Sequence, residues 1–273
     1  AMAPRVQFAA HVLISEDNPV NEEVAREYLS SFGCTFEVAR NGREAVETYD
    51  RQKFDLILMD CQMPEMDGLE ATRRIRALEA QKGLPRTTIL AVTANAFEED
   101  REACRAAGMD EYMSKPYTEA QLLKALSRWI NKAPGTVDAA PTTTTTAAVA
   151  VPAKAAEINL DVLANLRESR PKLFERLLHT YLEHTPKAMD NLTNAMHARN
   201  MSALKMAAHS LKSSSANVGA DKLSDLCRKL EQSALLEEVA ACEPLARDAA
   251  AEAERVATAL NAELKAFKER SVA

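Results

Sequence analysis

An α/β domain built on a parallel sheet, joined to a separate all-helical bundle, is the fold the sequence predicts, and three observations predict it. Short apolar runs alternate five times with helix-period segments between Arg5 and Lys132. The composition then breaks once, at 133–157, where APGTVDAAPTTTTTAAVAVPAKAAE carries three prolines, five successive threonines and no aromatic residue. Beyond that break strand signals vanish, Gly219 is the only glycine, and apolar residues recur every three or four positions from Leu160 to Phe267.

The five strands are read, in order, as HVLIS, TFEVA, FDLILMD, TTILAVT and EYMS. Amphipathic segments begin near Val20, Gly42, Gly68, Ala96 and Thr118 and supply a helix after each strand. Strict strand and helix alternation implies a parallel sheet covered on both faces. FDLILM is almost wholly apolar, as a central strand buried on both sides requires. In the second half, Pro171 suits a first helical position, Asn200 a turn, and Gly219 to Asp221 another break, which together predict an antiparallel bundle. The expected divisions are 1–132, a flexible Pro/Thr/Ala linker at 133–157, and 158–273. A linker of that composition buries too little apolar surface to offset its ordering entropy. As a flexible coil it spans about 25 to 30 Å, enough for the bundle to swing across the first domain through weak, transient docking.

Composition narrows the function. Of 273 residues, 47% are hydrophobic and 27% charged, which are globular values. No window approaches the run of about 18 apolar residues that spans a membrane, and the start lacks the regions of a signal peptide. A stretch in the cytoplasm, without membrane contact, is therefore expected. The opening AMA before Pro4 has the look of a cloning remnant, which predicts a segment cut from a longer chain. A net charge of -6, with no positive excess in either half, disfavours nucleic acid as a partner. Five cysteines (Cys34, Cys61, Cys104, Cys227, Cys242) are an odd number with no CxxC pair, so neither a disulfide framework nor a zinc site is expected, and the thiols read as reduced bystanders.

In an open parallel sheet, function gathers at the carboxyl ends of the strands. Glu16 and Asp17 end the first strand, Asp60 the third and Thr93 the fourth, while Lys115 and Pro116 follow the fifth. Carboxylates crowded into one crevice repel each other, and a hard divalent cation, Mg2+ foremost, relieves that repulsion while leaving room for a phosphoryl oxygen. Asp60 can then act as a nucleophile toward phosphorus, with Lys115 and the Thr93 hydroxyl contacting the transferring group.

The segments SEDNPVN, LMDCQMPEMDG, AVTANA and EYMSKPY resemble the receiver domain of two-component response regulators. That resemblance implies a flavodoxin-like sheet of order 2-1-3-4-5, Asp60 as phospho-acceptor, and Mg2+ held by Glu16, Asp17, Asp60 and the backbone carbonyl of Gln62. It makes Thr93 and Lys115 the phosphoryl contacts and Tyr112 the switch aromatic. Ser15 departs from the family pattern, which usually has an apolar strand residue there.

Among five histidines, His209 stands apart. In ALKMAAHSLKSSSANVGA, Leu204, Ala208, Leu211, Ser215 and Val218 advance by four, three, four and three, which makes one core-facing stripe. At about 100° per residue His209 falls opposite that stripe and is expected to face solvent, with Lys205, Lys212, Ser213 and Ala216 on its side. The segment Ala208 to Ala220 resembles the histidine phosphotransfer (HPt) domain, an all-α four-helix bundle. By that resemblance His209 is the phosphohistidine and Lys212 supports the phosphate.

The two resemblances together imply successive stations of a phosphorelay, similar to the C-terminal part of a hybrid histidine kinase. An upstream histidine kinase core would supply phosphoryl and a downstream response regulator would receive it; the parent chain could be anchored in the inner membrane. No ATP-binding boxes of a kinase occur in this stretch. Two other readings stay open at this point. One is a regulatory module in which phosphorylated Asp60 only changes contacts. The other is a metal-dependent phosphohydrolase, although Cys61 and Gln62 after Asp60 break the DxD arrangement of the commonest such family.

Overall fold

The computed structural model describes residues 7–93, 98–130 and 158–272. The expected linker at 133–157 lies outside the described residues. Strands β1 (His11–Ser15), β2 (Thr35–Ala39), β3 (Leu56–Asp60), β4 (Thr88–Thr93) and β5 (Glu111–Ser114) alternate with helices α1 (Pro19–Ser31), α2 (Gly42–Arg51), α3 (Gly68–Lys82), α4 (Glu98–Ala107) and α5 (Glu119–Trp129). The strands form one parallel sheet of order β2-β1-β3-β4-β5, as the sequence predicts.

The period of two along each strand decides which helix covers which face. Val12, Ile14, Leu56, Leu58, Leu90 and Val92 pack with Ala25 and Leu29 of α1 and with Leu122 and Leu126 of α5. Their neighbours Leu13, Ile57, Met59, Ile89 and Ala91 pack the other way, against Ala45 and Tyr49 of α2, Ala71 and Ile75 of α3, and Cys104 of α4. All five residues of β3 are buried, as its apolar sequence requires. Each large aliphatic side chain so buried contributes about 1.5–3 kcal/mol, so β3 and the functional loop after it rest on the most heavily covered strand of the domain.

Helices α6 (Leu160–Ser169), α7 (Pro171–His197), α8 (Met201–Asn217), α9 (Asp221–Leu235) and α10 (Val239–Val272) make the second unit. The last four form the bundle, and α6 packs on α7. Pro171 opens α7, the Asn200 side chain caps α8 by accepting from the Ala203 N–H, and Gly219 turns the chain into α9 at a φ of 71°. The stripe from Leu204 to Val218 is buried. Its one polar member, Ser215, meets the Tyr181 hydroxyl at 3.1 Å, which satisfies both groups inside the core.

Sequence reasoning did not disclose an extensive contact between the two units. Helix α1 has a second apolar edge: Ala25 and Leu29 face the sheet, whereas Val20 and Val24 enter the core of the bundle. The helix runs against α7 and touches α8. Ion pairs frame the contact, with Arg176 reaching Glu23 at 3.1 Å and Glu27 at 2.6 Å, and Arg170 joining Glu27 to Glu119. Among the described residues, no helix is long and apolar enough to cross a membrane.

Candidate functional site

Because all five strands run parallel, their carboxyl ends open on one side, and the polar residues predicted there converge. Carboxylate oxygens of Glu16, Asp17 and Asp60 lie within 4.8 Å of one another. The Lys115 ammonium bridges two of them, 2.6 Å from Asp60 Oδ2 and 2.6 Å from Glu16 Oε2. Its own N–H donates to the carbonyl of Thr93 at 2.7 Å, which ties the end of β5 to the end of β4. The Lys115–Pro116 peptide is cis.

Burial sets the electrostatics. It pushes the Glu16 carboxyl up to about 8, with the Lys115 charge opposing the rise and Asp60 and Asp17 adding to it. It pushes Asp17 up to about 6, with Asp60 again adding. The Lys115 ammonium, which burial alone would weaken, is instead held well above its ordinary range by Asp60 and Glu16. Such a site is short of positive charge. Its donors are carboxylate oxygens without nitrogen or sulfur, the set that a hard dication takes, so the residues present fit Mg2+.

The loop after Asp60 is held by its backbone. The Gln62 N–H donates to Asp60 Oδ1 at 3.1 Å, the Cys61 N–H to the Val92 carbonyl at 3.1 Å, and the Gly68 N–H to the Cys61 carbonyl at 3.2 Å. Gly68 must lack a side chain, since a Cβ there would fall on the Asp60 carbonyl oxygen. Ser15 is buried, and its hydroxyl donates to Met63 Sδ at 3.3 Å, which accommodates a polar residue in the first strand. Tyr112 lies half-buried on β5 with the Arg101 guanidinium 4.2 Å above its ring.

His209 departs from expectation. It is not exposed to solvent but 5% accessible, and Lys212 and Ser213 beside it are buried too. The helical geometry correctly turns these residues off the apolar stripe, but two neighbours cover that face. From α9, Glu231 accepts from His209 Nδ1 at 2.8 Å and also pairs with Lys212. From the first domain, Asn18 Nδ2 donates to the Ser210 carbonyl and hydroxyl at 3.0 and 2.8 Å. Asn21 donates to Ser213 Oγ at 3.0 Å and to Glu16 Oε1 at 2.9 Å, which links the acidic cluster to the histidine helix through one side chain.

Two consequences follow for His209. With Nδ1 engaged by a carboxylate, the hydrogen is held on Nδ1 and the lone pair is left on Nε2. Nε2 is buried and without a hydrogen-bond partner, which is rare for a polar atom inside a protein. A cavity of about 270 Å³ opens alongside, between Lys115 and Pro116 on one wall and Lys212, Ser213 and Arg228 on the other.

Glu231, Asn18 and Asn21 escaped sequence reasoning as site residues. The available signal for Glu231 is its place beside the buried stripe of Leu223, Cys227, Leu230 and Ala234. A carboxylate on the edge of such a stripe needs a partner, but the pairing with His209 is between helices and has no mark in the spacing.

An aspartate pocket at the end of a parallel sheet, closed over by a helix bearing a carboxylate-oriented histidine, is the arrangement of a receiver domain packed against a histidine phosphotransfer domain. Comparison with known families agrees. The response regulator receiver domain matches residues 12–127 and the Hpt domain residues 176–269. The chain belongs to the receiver family in its first half and to the Hpt family in its second.

Among similar proteins, hybrid signal transduction histidine kinase B of Dictyostelium discoideum is 42% identical over 120 residues, 41% of this chain and 6% of that protein. Sensor protein GacS of Pseudomonas syringae pv. syringae is 37% identical over 126 residues, 46% of this chain and 14% of that protein. The chain thus spans a small part of the curated relatives it matches. Among solved structures, the receiver domain of sensor histidine kinase PA1611 from Pseudomonas aeruginosa, with a magnesium ion in its active site cleft, is 44% identical. That match covers 45% of this chain and 99% of that one at a TM-score of 0.42. The co-crystal of the Saccharomyces cerevisiae phosphotransfer protein Ypd1 with the receiver domain of Ssk1 gives 31% identity, 46% and 91% coverage, and a TM-score of 0.45.

Proposed function

We propose that the chain passes phosphoryl between Asp60 and His209, as two consecutive stations of a relay. The observation that carries this reading is the buried, unpartnered Nε2 of His209, held on a helix whose neighbouring residues are bonded to the loop and helix that begin the acidic pocket.

Asp60 accepts phosphoryl from the phosphohistidine of an upstream histidine kinase core, forming an acyl phosphate and freeing the kinase imidazole. Mg2+ held by Glu16, Asp17, Asp60 and the Gln62 carbonyl supplies charge neutralisation for the phosphoryl oxygens when bound. Lys115 and the Thr93 hydroxyl contact the same oxygens from the other strands. The Nε2 lone pair of His209 then attacks phosphorus, the bond from phosphorus to the Asp60 oxygen breaks, and Asp60 leaves as a carboxylate. Phosphorylation brings no proton to Nδ1, which keeps its hydrogen toward Glu231. Lys212 supports the phosphoryl group on the imidazole, and Tyr112 reports the state of the pocket to the α4 side. A separate response regulator takes the group from His209. This role places the stretch in the cytoplasm, as part of a longer hybrid kinase.

Chemical stability of the label tests the reading. Phosphoryl on the bundle should be acid-labile and base-stable, and on the first domain base-labile. Asp60→Asn should abolish labelling by acetyl phosphate, and His209→Gln should remove only the acid-labile fraction. Label on His179 or His184, or unchanged labelling of the Asn variant, would remove these residues from their roles.

A further inference from the structure

All five cysteines are free thiols, and sequence spacing makes no pair among them. The fold makes one. Cys61 follows Asp60 directly, Cys104 lies 43 positions on in α4, and their sulfurs stand 3.6 Å apart. Cys104 is buried and Cys61 partly accessible, so a small reagent can reach one sulfur while the other waits in contact with it.

We propose that Cys61 and Cys104 form a reversible disulfide that slows phosphorylation of Asp60. The oxidant is a hydroperoxide. One thiolate attacks the peroxide oxygen to give a sulfenic acid and water, and the second sulfur displaces the hydroxyl group as another water. Two thiols and one hydrogen peroxide thus yield one disulfide and two waters. In compartments that keep thiols reduced, bonds of this kind are transient and sensory rather than structural.

The geometry states the cost to the site. Bonded sulfurs sit about 2.05 Å apart, so the pair must close by roughly 1.5 Å. Cys104 is anchored in the packed layer of α4 beneath Met59 and Ala91. Cys61 sits between the nucleophile Asp60 and Gln62, whose N–H already bonds Asp60 Oδ1. Drawing Cys61 toward α4 therefore acts on the residue that joins Asp60 to the Gln62 carbonyl. It also ties that residue covalently to the helix whose Arg101 covers Tyr112. The effect on labelling rests on the function proposed above; formation of the bond does not.

The experiment uses the full chain. After brief treatment with hydrogen peroxide, thiols are alkylated under denaturing conditions and the digest is mapped without reductant. A Cys61–Cys104 cross-linked peptide is expected, with Cys34, Cys227 and Cys242 alkylated. The oxidised chain should take phosphoryl from acetyl phosphate several-fold more slowly, and dithiothreitol should restore the rate. Cys104→Ala should label like the reduced chain and lose its response to peroxide, with Cys104→Ser as a second variant should the first fold poorly. Recovery of both thiols alkylated, or a cross-link that leaves labelling unchanged, overturns the proposal. Failure of the reduced chain to label at Asp60 would instead overturn the proposed function, and the peptide map would still report on the bond.

Discussion

His209 Nδ1 lies 2.8 Å from Glu231 Oε1, and the other oxygen of that carboxylate holds Lys212. One acidic residue thus orients the nucleophile and the cation beside it. Glu231→Ala should slow phosphorylation of His209 by about tenfold to a hundredfold, the loss of a charge-assisted hydrogen bond. Glu231→Gln, which can still accept from Nδ1, should fall less. Equal loss in both variants would place the role in charge alone. Burial by itself would raise the Glu231 carboxyl, but His209 and Lys212 lower it on balance. A carboxyl lowered by folding contributes stability above its unfolded value, lost as pH falls below about 4. Glu231→Gln lacks that contribution at every pH, so acid unfolding of the bundle should move to higher pH in this variant, read by circular dichroism.

The pH dependence of the first domain should run the other way. Burial raises Glu16 to about 8 and Asp17 to about 6, above their unfolded values. Carboxyls raised by folding contribute stability that is fully present below the unfolded value and lost as pH rises through the folded one. The metal-free chain should lose thermal stability between about pH 5 and pH 8, and stabilisation by Mg2+ should grow over the same interval as protons cease to compete. Melting curves with and without Mg2+ would show it. A larger Mg2+ effect at the acid end would contradict the carboxylate assignment.

Val24 tests the contact between the units. It packs into the bundle core from α1, next to Glu23 and Glu27, which hold Arg176. Val24→Lys puts an ammonium into that apolar contact at a cost of several kcal/mol, while the sheet-facing Ala25 and Leu29 are untouched. Labelling of Asp60 by acetyl phosphate should persist, and transfer to His209 should fall at least tenfold, since about 1.4 kcal/mol is a factor of ten in docking. Small-angle scattering should show a larger radius. Unchanged transfer would mean that α1 is not the surface through which the histidine is reached.

Much of this was legible along the chain. The all-apolar β3, the alternation around it and the strand-end positions of Glu16, Asp17, Asp60, Thr93 and Lys115 determine the sheet and the acidic pocket, because strand periodicity and parallel order bring those ends together whatever the loops do. The stripe from Leu204 to Val218 likewise determines which way His209 leaves its helix. Periodicity describes one element at a time, and what it cannot carry is the identity of the neighbour across a gap. Only the tertiary structure decided that Glu231 of α9 would meet His209, that Val20 and Val24 would cross into the second core, and that Cys61 and Cys104 would touch. Each of those pairings joins residues on different elements, so it depends on helix packing and chain crossing, which leave no repeat in the sequence. The burial of His209 belongs with them, because a face turned from its own core is open only until another surface lies on it.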